Sequence, residues 1–126
     1  MPDLERDTPP REEWPDHVVT LNGTKFHDFI AKYPLSVIDF WAPWCGPCQK
    51  MTPRMRQLSK MYKGKVAFGK VNITEIKNRS LAKEYKIMGI PNLMFFSYGE
   101  RVTNITGVRP LNSIKAKIDS IIEKFD

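Results

Sequence analysis

The feature that most constrains the fold is a run of six strand-forming residues that leads directly into a helix. Ser36–Trp41 is β-rich and almost continuously apolar, which is typical of a central strand buried on both faces. A sheet built around such a strand needs helices packed on both sides. The segment after it, over about 45–62, has apolar residues at helical spacing, and Pro53 inside it predicts a kink. The two segments together predict an α/β domain.

The rest of the chain alternates between strand-like and helix-like patterns. The predicted strands lie at 18–21, 36–41, 65–72, 92–97 and 100–106, and the predicted helices at 25–32, 45–62, 75–85 and 111–125. The last two strands are joined around Tyr98-Gly99 and predict an antiparallel hairpin. The order β-α-β-α-β-α-β-β-α predicts a mixed central sheet flanked by helices on both faces.

The chain of 126 residues fits one domain, preceded by a polar arm. Residues 1–16 hold four of the ten prolines and six acidic residues against Arg6 and Arg11, which predicts a flexible or extended arm of net charge −4. Residues 17–126 form the predicted domain. Their formal net charge is +10, which with the −4 of the arm gives +6 for the whole chain. Their lysines are scattered and match no nucleic-acid motif, so we interpret them as a solvated face and expect no nucleic-acid partner.

The sequence also bears on membranes and compartment. No run of eighteen apolar residues occurs, so we expect no membrane span. The first residues lack the basic start and apolar centre of a signal peptide, so we expect an intracellular, cytoplasmic protein.

The only two cysteines, Cys45 and Cys48, lie three positions apart at the predicted helix start. A disulfide of that span closes too small a loop to stabilise a fold much, which favours catalysis or metal binding over architecture. Unpaired backbone N–H groups and the helix dipole stabilise an anion at such a position, here the Cys45 thiolate. Cys48 lies one turn further along the same face, within reach of a disulfide, and Gly46-Pro47 suits a tight entry into the helix.

These residues resemble a known family. The segment Val37-Ile38-Asp39-Phe40-Trp41-Ala42-Pro43-Trp44-Cys45-Gly46-Pro47-Cys48 is similar to the active-site segment of the thioredoxin family, and the likeness covers about 17–126. Further along the chain, Pro53, Gly89-Ile90-Pro91 and Gly107 fall at the family's kink, cis-proline loop and site glycine. The resemblance implies the thioredoxin fold and a thiol–disulfide oxidoreductase.

The resemblance also implies roles for single residues. Cys45 would attack a disulfide in a client protein, and Cys48 would resolve the mixed disulfide. Asp39 would accept the Cys48 proton, which agrees with an independent argument: burial in an apolar strand should raise the pKa of a carboxyl group towards working pH. Lys70 matches a family lysine near that aspartate, and Gly46, Pro47 and Lys70 would tune the redox couple.

The resemblance further implies a surface that receives the client. The main chain at Ile90, before Pro91, would hydrogen-bond an extended client segment. The implied docking patch is flat and apolar, and it consists of Trp44, Pro47, Ile90, Pro91, Gly107 and Val108.

The implied enzyme is a protein-disulfide reductase. It would need no bound cofactor or metal beyond the Cys45–Cys48 disulfide. Its electron donor would resemble thioredoxin reductase, its clients would be proteins with disulfides, and we expect a monomer. His17 and His27 lie far from the cysteines in sequence, and we interpret both as incidental.

Two alternatives remain open at this stage. An oxidase or isomerase could use the same fold, although Gly46-Pro47 resembles the reducing members and isomerases usually have histidine before the second cysteine. A binding module is the other, either a non-catalytic scaffold or a zinc site. Structural zinc usually needs four protein ligands, so one cysteine pair would have to share the metal between two chains.

Overall fold

The structure is a computed structural model, and it describes residues 8–125. Its strands are β1 Val19–Thr20, β2 Ser36–Trp41, β3 Ala67–Asn72, β4 Asn92–Ser97 and β5 Glu100–Thr106. Its helices are α1 Phe26–Lys32, α2 Gly46–Met61, α3 Arg79–Glu84 and α4 Leu111–Phe125, with 3₁₀ turns at Arg11–Glu13 and Ile76–Asn78. This order confirms the predicted β-α-β-α-β-α-β-β-α arrangement.

The five strands form one mixed sheet in the order β1-β3-β2-β4-β5. β1, β3 and β2 run parallel, whereas β4 pairs antiparallel with β2 and β5 antiparallel with β4. The parallel part of the sheet therefore meets the antiparallel hairpin between β2 and β4. This boundary is where the chain leaves β2 and enters the cysteine segment.

Side chains alternate between the two faces of β2 and supply two separate apolar cores. Ile38 and Phe40 pack with α1 and α3 residues on one face. Val37 packs with α2 and α4 residues, including Met55 and Ile118, on the other. Helices thus cover both faces of the sheet, and Asp39, by alternation, lies on the face of Val37 and α2.

One predicted helix is shorter than expected. The segment 75–85 forms a 3₁₀ turn at Ile76–Asn78 and then the short helix α3. The cause is the buried side chain of Asn78, whose Nδ2 donates to the carbonyl oxygen of Asn72 at 2.9 Å. That bond ties the start of the segment to the end of β3 and interrupts the helix.

The structure also differs from the expected arm over residues 8–16, while residues 1–7 of that arm lie outside the described residues. Trp14 is only 2% exposed, lies edge-on to Tyr33 at 5.0 Å between ring centroids, and donates from Nε1 to the carbonyl oxygen of Pro9. Arg11 donates to the carbonyl oxygen of Gly64 just after α2. The buried side chain of Trp14 holds this segment on the domain. The polar composition of the segment gave no sign of this contact.

None of the helices in the described part of the chain is long and apolar enough to cross a membrane.

Candidate active site

Cys45 and Cys48 form a disulfide at the start of α2. Cys45 is the N-cap residue, and the backbone N–H of Cys48 lies 3.2 Å from its Sγ. Cys45 is 5% exposed and Cys48 1%, so Cys45 is the more accessible of the two cysteines. When the disulfide is reduced, the same N–H and the helix N-terminus stabilise a thiolate on Cys45.

The two residues between the cysteines occupy the first turn of α2. Pro47 is compatible with this position because its missing N–H has no partner there in any helix. Gly46 is exposed, and a Cβ added to it would meet nothing within 4 Å. Space therefore does not require glycine here, and the tuning role of Gly46 and Pro47 stays a prediction.

Asp39 lies buried in β2, one strand away from Lys70 in β3. The β2–β3 register pairs the two residues directly. Burial raises the pKa of Asp39 to about 7, and the charge of Lys70 opposes the rise without cancelling it. Asp39 can thus exchange a proton near neutral pH, as the sequence led us to expect. Lys70 itself lies with Nζ 5.6 Å from the centroid of the Trp41 ring.

The loop before β4 lies against the disulfide. The Ile90-Pro91 peptide bond is cis, and the carbonyl oxygen of Ile90 lies 3.9 Å from Sγ of Cys45. The N–H of Gly107 donates to the carbonyl oxygen of Pro91 at 2.8 Å, which fixes the end of β5 beside this loop. Gly107 has φ +96°, in the left-handed region that favours glycine.

The structure brings most of the predicted docking patch close to the cysteines. Trp44 is 73% exposed immediately before Cys45, and Ile90 packs against the buried cysteines. Val108 is half-buried and packs instead on the α2 and α4 core, two residues beyond β5. Ile90 therefore contacts the cysteine cluster and Trp44 precedes Cys45 in the chain, whereas the place of Val108 in the patch stays a prediction.

Sequence reasoning missed three neighbours of the site. Ile73, just after β3, packs against the cysteine cluster, and the hydroxyl of Thr52 donates to the carbonyl oxygen of Cys48 at 3.3 Å. His17, interpreted as incidental, lines a cavity together with Asp39. Helical spacing from Cys48 could have indicated Thr52, but only the sheet order brings His17 and Ile73 near.

The described residues contain no candidate metal site. Within residues 8–125, no group of three or more His, Cys, Asp or Glu side chains could hold a metal ion. A zinc site built within one chain would need such a group.

The arrangement supports one kind of chemistry. A stabilised thiolate, a second thiol one turn away and a buried carboxyl group of pKa about 7 can form and break disulfides by exchange.

Comparisons with known proteins agree with this geometry. The family model described as Thioredoxin matches residues 17–120. The chain is 42% identical to a thioredoxin of Synechocystis sp., over 83% of this chain and 94% of that protein. It is 38% identical to the chloroplastic M-type thioredoxin of Spinacia oleracea over 86% of this chain, but spans only 57% of the spinach protein. Among solved structures, a mutant thioredoxin from Halobacterium salinarum matches with a TM-score of 0.78 and 30% identity, over 85% of this chain and 92% of that one.

Proposed function

The chain belongs to the thioredoxin family, and we propose that it is a thiol–disulfide oxidoreductase that reduces disulfides in other proteins. The observation that carries this proposal is the position of Cys45 at the N-cap of α2, where the Cys48 N–H lies 3.2 Å from its sulfur. Cys45 is also the more exposed of the two cysteines. It follows Trp44 in the chain and packs against Ile90.

The proposed reaction transfers two electrons in two exchanges. The Cys45 thiolate attacks one sulfur of a client disulfide, a Cys45–client bond forms, and the other client sulfur leaves as a thiolate. Cys48 then gives its proton to Asp39 and attacks Sγ of Cys45. The Cys45–client bond breaks, the client leaves as a dithiol, and the protein is left with the Cys45–Cys48 disulfide.

The same geometry supports the remaining proposed roles. The exposed ring of Trp44 and the backbone around Ile90 would receive an extended client segment, with Gly107 holding the Pro91 loop in place. Lys70 would limit the rise in the pKa of Asp39. An electron donor of the thioredoxin-reductase kind would restore the dithiol.

Reduction of insulin in the presence of dithiothreitol tests the activity. We expect the wild-type chain to accelerate insulin precipitation and Cys45→Ser to abolish the acceleration. Cys48→Ser should instead accumulate a mixed disulfide with the client, because the first exchange needs only Cys45. Turnover retained by Cys45→Ser would disprove the proposal.

The direction of the reaction is tested by equilibrating the Cys45–Cys48 couple with glutathione. We expect a potential near the value of about −270 mV characteristic of thioredoxin, well below the value of about −180 mV of disulfide isomerases. A potential at the oxidising end would assign the chain to isomerase or oxidase chemistry.

The compartment belongs to the proposal as well. Both cysteines lie in the site, which suits a reducing compartment, and we propose the cytoplasm. The spinach relative is named chloroplastic, so a plastid is the alternative that the same chemistry fits. Fluorescent tagging of the full-length gene product would distinguish the two.

A further inference from the structure

A cavity of about 420 Å³ lies beside the buried carboxyl group, between α2 and the parallel part of the sheet. Its volume lies within the range of small-molecule sites in proteins. Apolar side chains from three segments form part of its wall, namely Val18, Trp41 and Met55. An apolar wall of this kind accommodates the hydrocarbon part of a ligand.

The charged side chains of the cavity are mostly cations. Arg56 and Lys60 line it from α2 and Lys70 from β3, with His17 from the segment before β1. None of the three cations forms an ion pair with an acidic side chain among residues 8–125. Asp16 offsets part of this charge: a hydrogen bond from His17 and, to a smaller extent, Lys60 lower its pKa. The balance still favours an anion.

Two buried polar atoms of the lining residues are unpartnered. Oδ1 of Asp39 and Nε1 of Trp41 make no hydrogen bond within the described chain. Asp39 is 5% exposed, and both side chains line the cavity. Both atoms are closed to solvent, so a ligand in the cavity would lie beside them rather than bond to them.

We propose that this cavity binds a small organic anion, with the acidic group on Arg56, Lys60 and Lys70 and the apolar part against Trp41 and Met55. Carboxylates and phosphate monoesters share the required chemistry.

Such a ligand would be coupled to the proton on Asp39. A bound anion disfavours a second negative charge nearby, so it binds more tightly when Asp39 is protonated, and by linkage it favours that protonated form. The groups around Asp39 in the cavity are Lys70 on β3, Arg56 and Lys60 on α2, and His17. Slower resolution of mixed disulfides in the presence of the anion follows; this consequence rests on the proposed function, whereas binding itself does not.

Titration of the ¹⁵N-labelled, oxidised full-length chain with phenyl phosphate and, separately, benzoate tests the proposal by NMR. We expect saturable shifts of the Trp41 indole N–H and of the backbone N–H groups of Thr52 and Arg56. The indole N–H of Trp14 donates a hydrogen bond to the carbonyl oxygen of Pro9 and serves as an internal reference. Its signal should not shift. The anion with the lower Kd identifies the preferred acidic group, and benzyl alcohol, which has no charge, should not saturate the site.

Two sets of variants sharpen the test. Arg56→Gln with Lys60→Gln should weaken binding about fivefold to tenfold. Lys25→Gln with Lys83→Gln makes the same change in net charge outside this cavity and should leave Kd unchanged. Asp39→Asn should bind the anion more tightly than wild type at pH 8 and about equally at pH 5.5.

The outcomes are decisive in both directions. Absence of saturable shifts, equal binding of benzyl alcohol, or an equal loss in the Lys25 and Lys83 variant would overturn the site. Binding of equal strength in Asp39→Asn and wild type at both pH values would overturn the coupling. Because NMR reports binding without turnover, a failure of the reductase assay does not bear on the site.

Discussion

Asp39 places a carboxyl group in the middle of a strand whose other residues are apolar or, like Ser36, small and buried. Burial disfavours the charged form, and Lys70 compensates only in part, so the pKa of Asp39 rises to about 7. An acceptor with a pKa near the working pH is the most effective general base, because it is both largely available and able to hold the proton. Burial of Asp39 therefore lowers the stability of the fold at neutral pH, and the same burial gives the carboxyl group a pKa suited to the proposed resolving step.

The first prediction concerns the kinetics of that step. In wild type, the rate of resolution should rise with pH through about 7, because only the deprotonated form of Asp39 can accept the Cys48 proton. Asp39→Asn should remove this inflection and slow resolution about a hundredfold near pH 7.5. Single-turnover, rapid-mixing release of the second client thiol measures the step.

A matched control separates the acceptor role from a general loss of charge. Asp28→Asn removes an exposed carboxylate from α1 and should leave the pH profile intact. The first attack, followed in Cys48→Ser, should be nearly equal with and without the Asp39 substitution. An unchanged inflection in Asp39→Asn would rule out Asp39 as the acceptor.

At the scale of elements, the sequence determined most boundaries because one rule dominated each of them. Ser36–Trp41, Asn92–Ser97 and Glu100–Thr106 were predicted to the residue, since turn residues bound each continuous or alternating apolar run. The helix over 75–85 was predicted too long, because the side chain of Asn78 bonds to the main chain of Asn72, six residues earlier. Propensity along the chain contains no information about such a contact.

The segment before β1 shows the same limit more clearly. Its acids and prolines predicted a flexible or extended arm, yet Trp14 is buried in the core beside Tyr33. Arg11 lies over the Trp14 ring at 4.9 Å and donates to Gly64, and Lys63 donates from Nζ to the carbonyl oxygen of Glu12. One large apolar side chain outweighs the polar composition around it, because burial of its surface offsets the entropy lost on ordering the segment.

The second prediction compares two tryptophans in opposite environments. Trp14→Ala should lower the free energy of unfolding by about 3–5 kcal/mol, because it leaves a cavity in the core. Trp44→Ala should change it by less than about 0.5 kcal/mol, because Trp44 is 73% exposed. Urea unfolding followed by circular dichroism measures both values.

The activities of the two variants should show the reverse order. Trp44→Ala should raise KM for a protein client, since the ring borders Cys45, while folded Trp14→Ala should keep the wild-type KM. A Trp14→Ala variant as stable as wild type would show that the segment before β1 contributes nothing to the fold.

For the whole molecule, the site lies where the parallel and antiparallel parts of the sheet meet. β2 ends at this boundary and continues into the Cys45 segment, and β4 begins there with the Ile90-Pro91 loop. The sequence predicted these two segments and Asp39, because resemblance and the buried strand each indicated them. It did not predict the cavity beside Asp39, because His17, Lys70 and Arg56 come from separate elements that only the sheet order brings together.

The third prediction is a property of the whole fold, the dependence of stability on pH. The ordinary pKa of an aspartate side chain is 3.8, and burial raises the pKa of Asp39 to about 7 in the folded protein, so the folded state binds the proton more tightly. Its contribution to stability is fully present below pH 3.8 and is lost as the pH rises through about 7, a change of up to about 4 kcal/mol. Asp39→Asn cannot titrate, so relative to wild type the oxidised variant should gain roughly 2–4 kcal/mol of unfolding free energy between pH 4.5 and pH 8.

Guanidinium unfolding at pH 4.5, 6 and 8 measures the difference, with Asp28→Asn as the exposed control. A difference between Asp39→Asn and wild type that stays constant over this range would mean that the buried carboxyl group does not set the pH dependence of the fold.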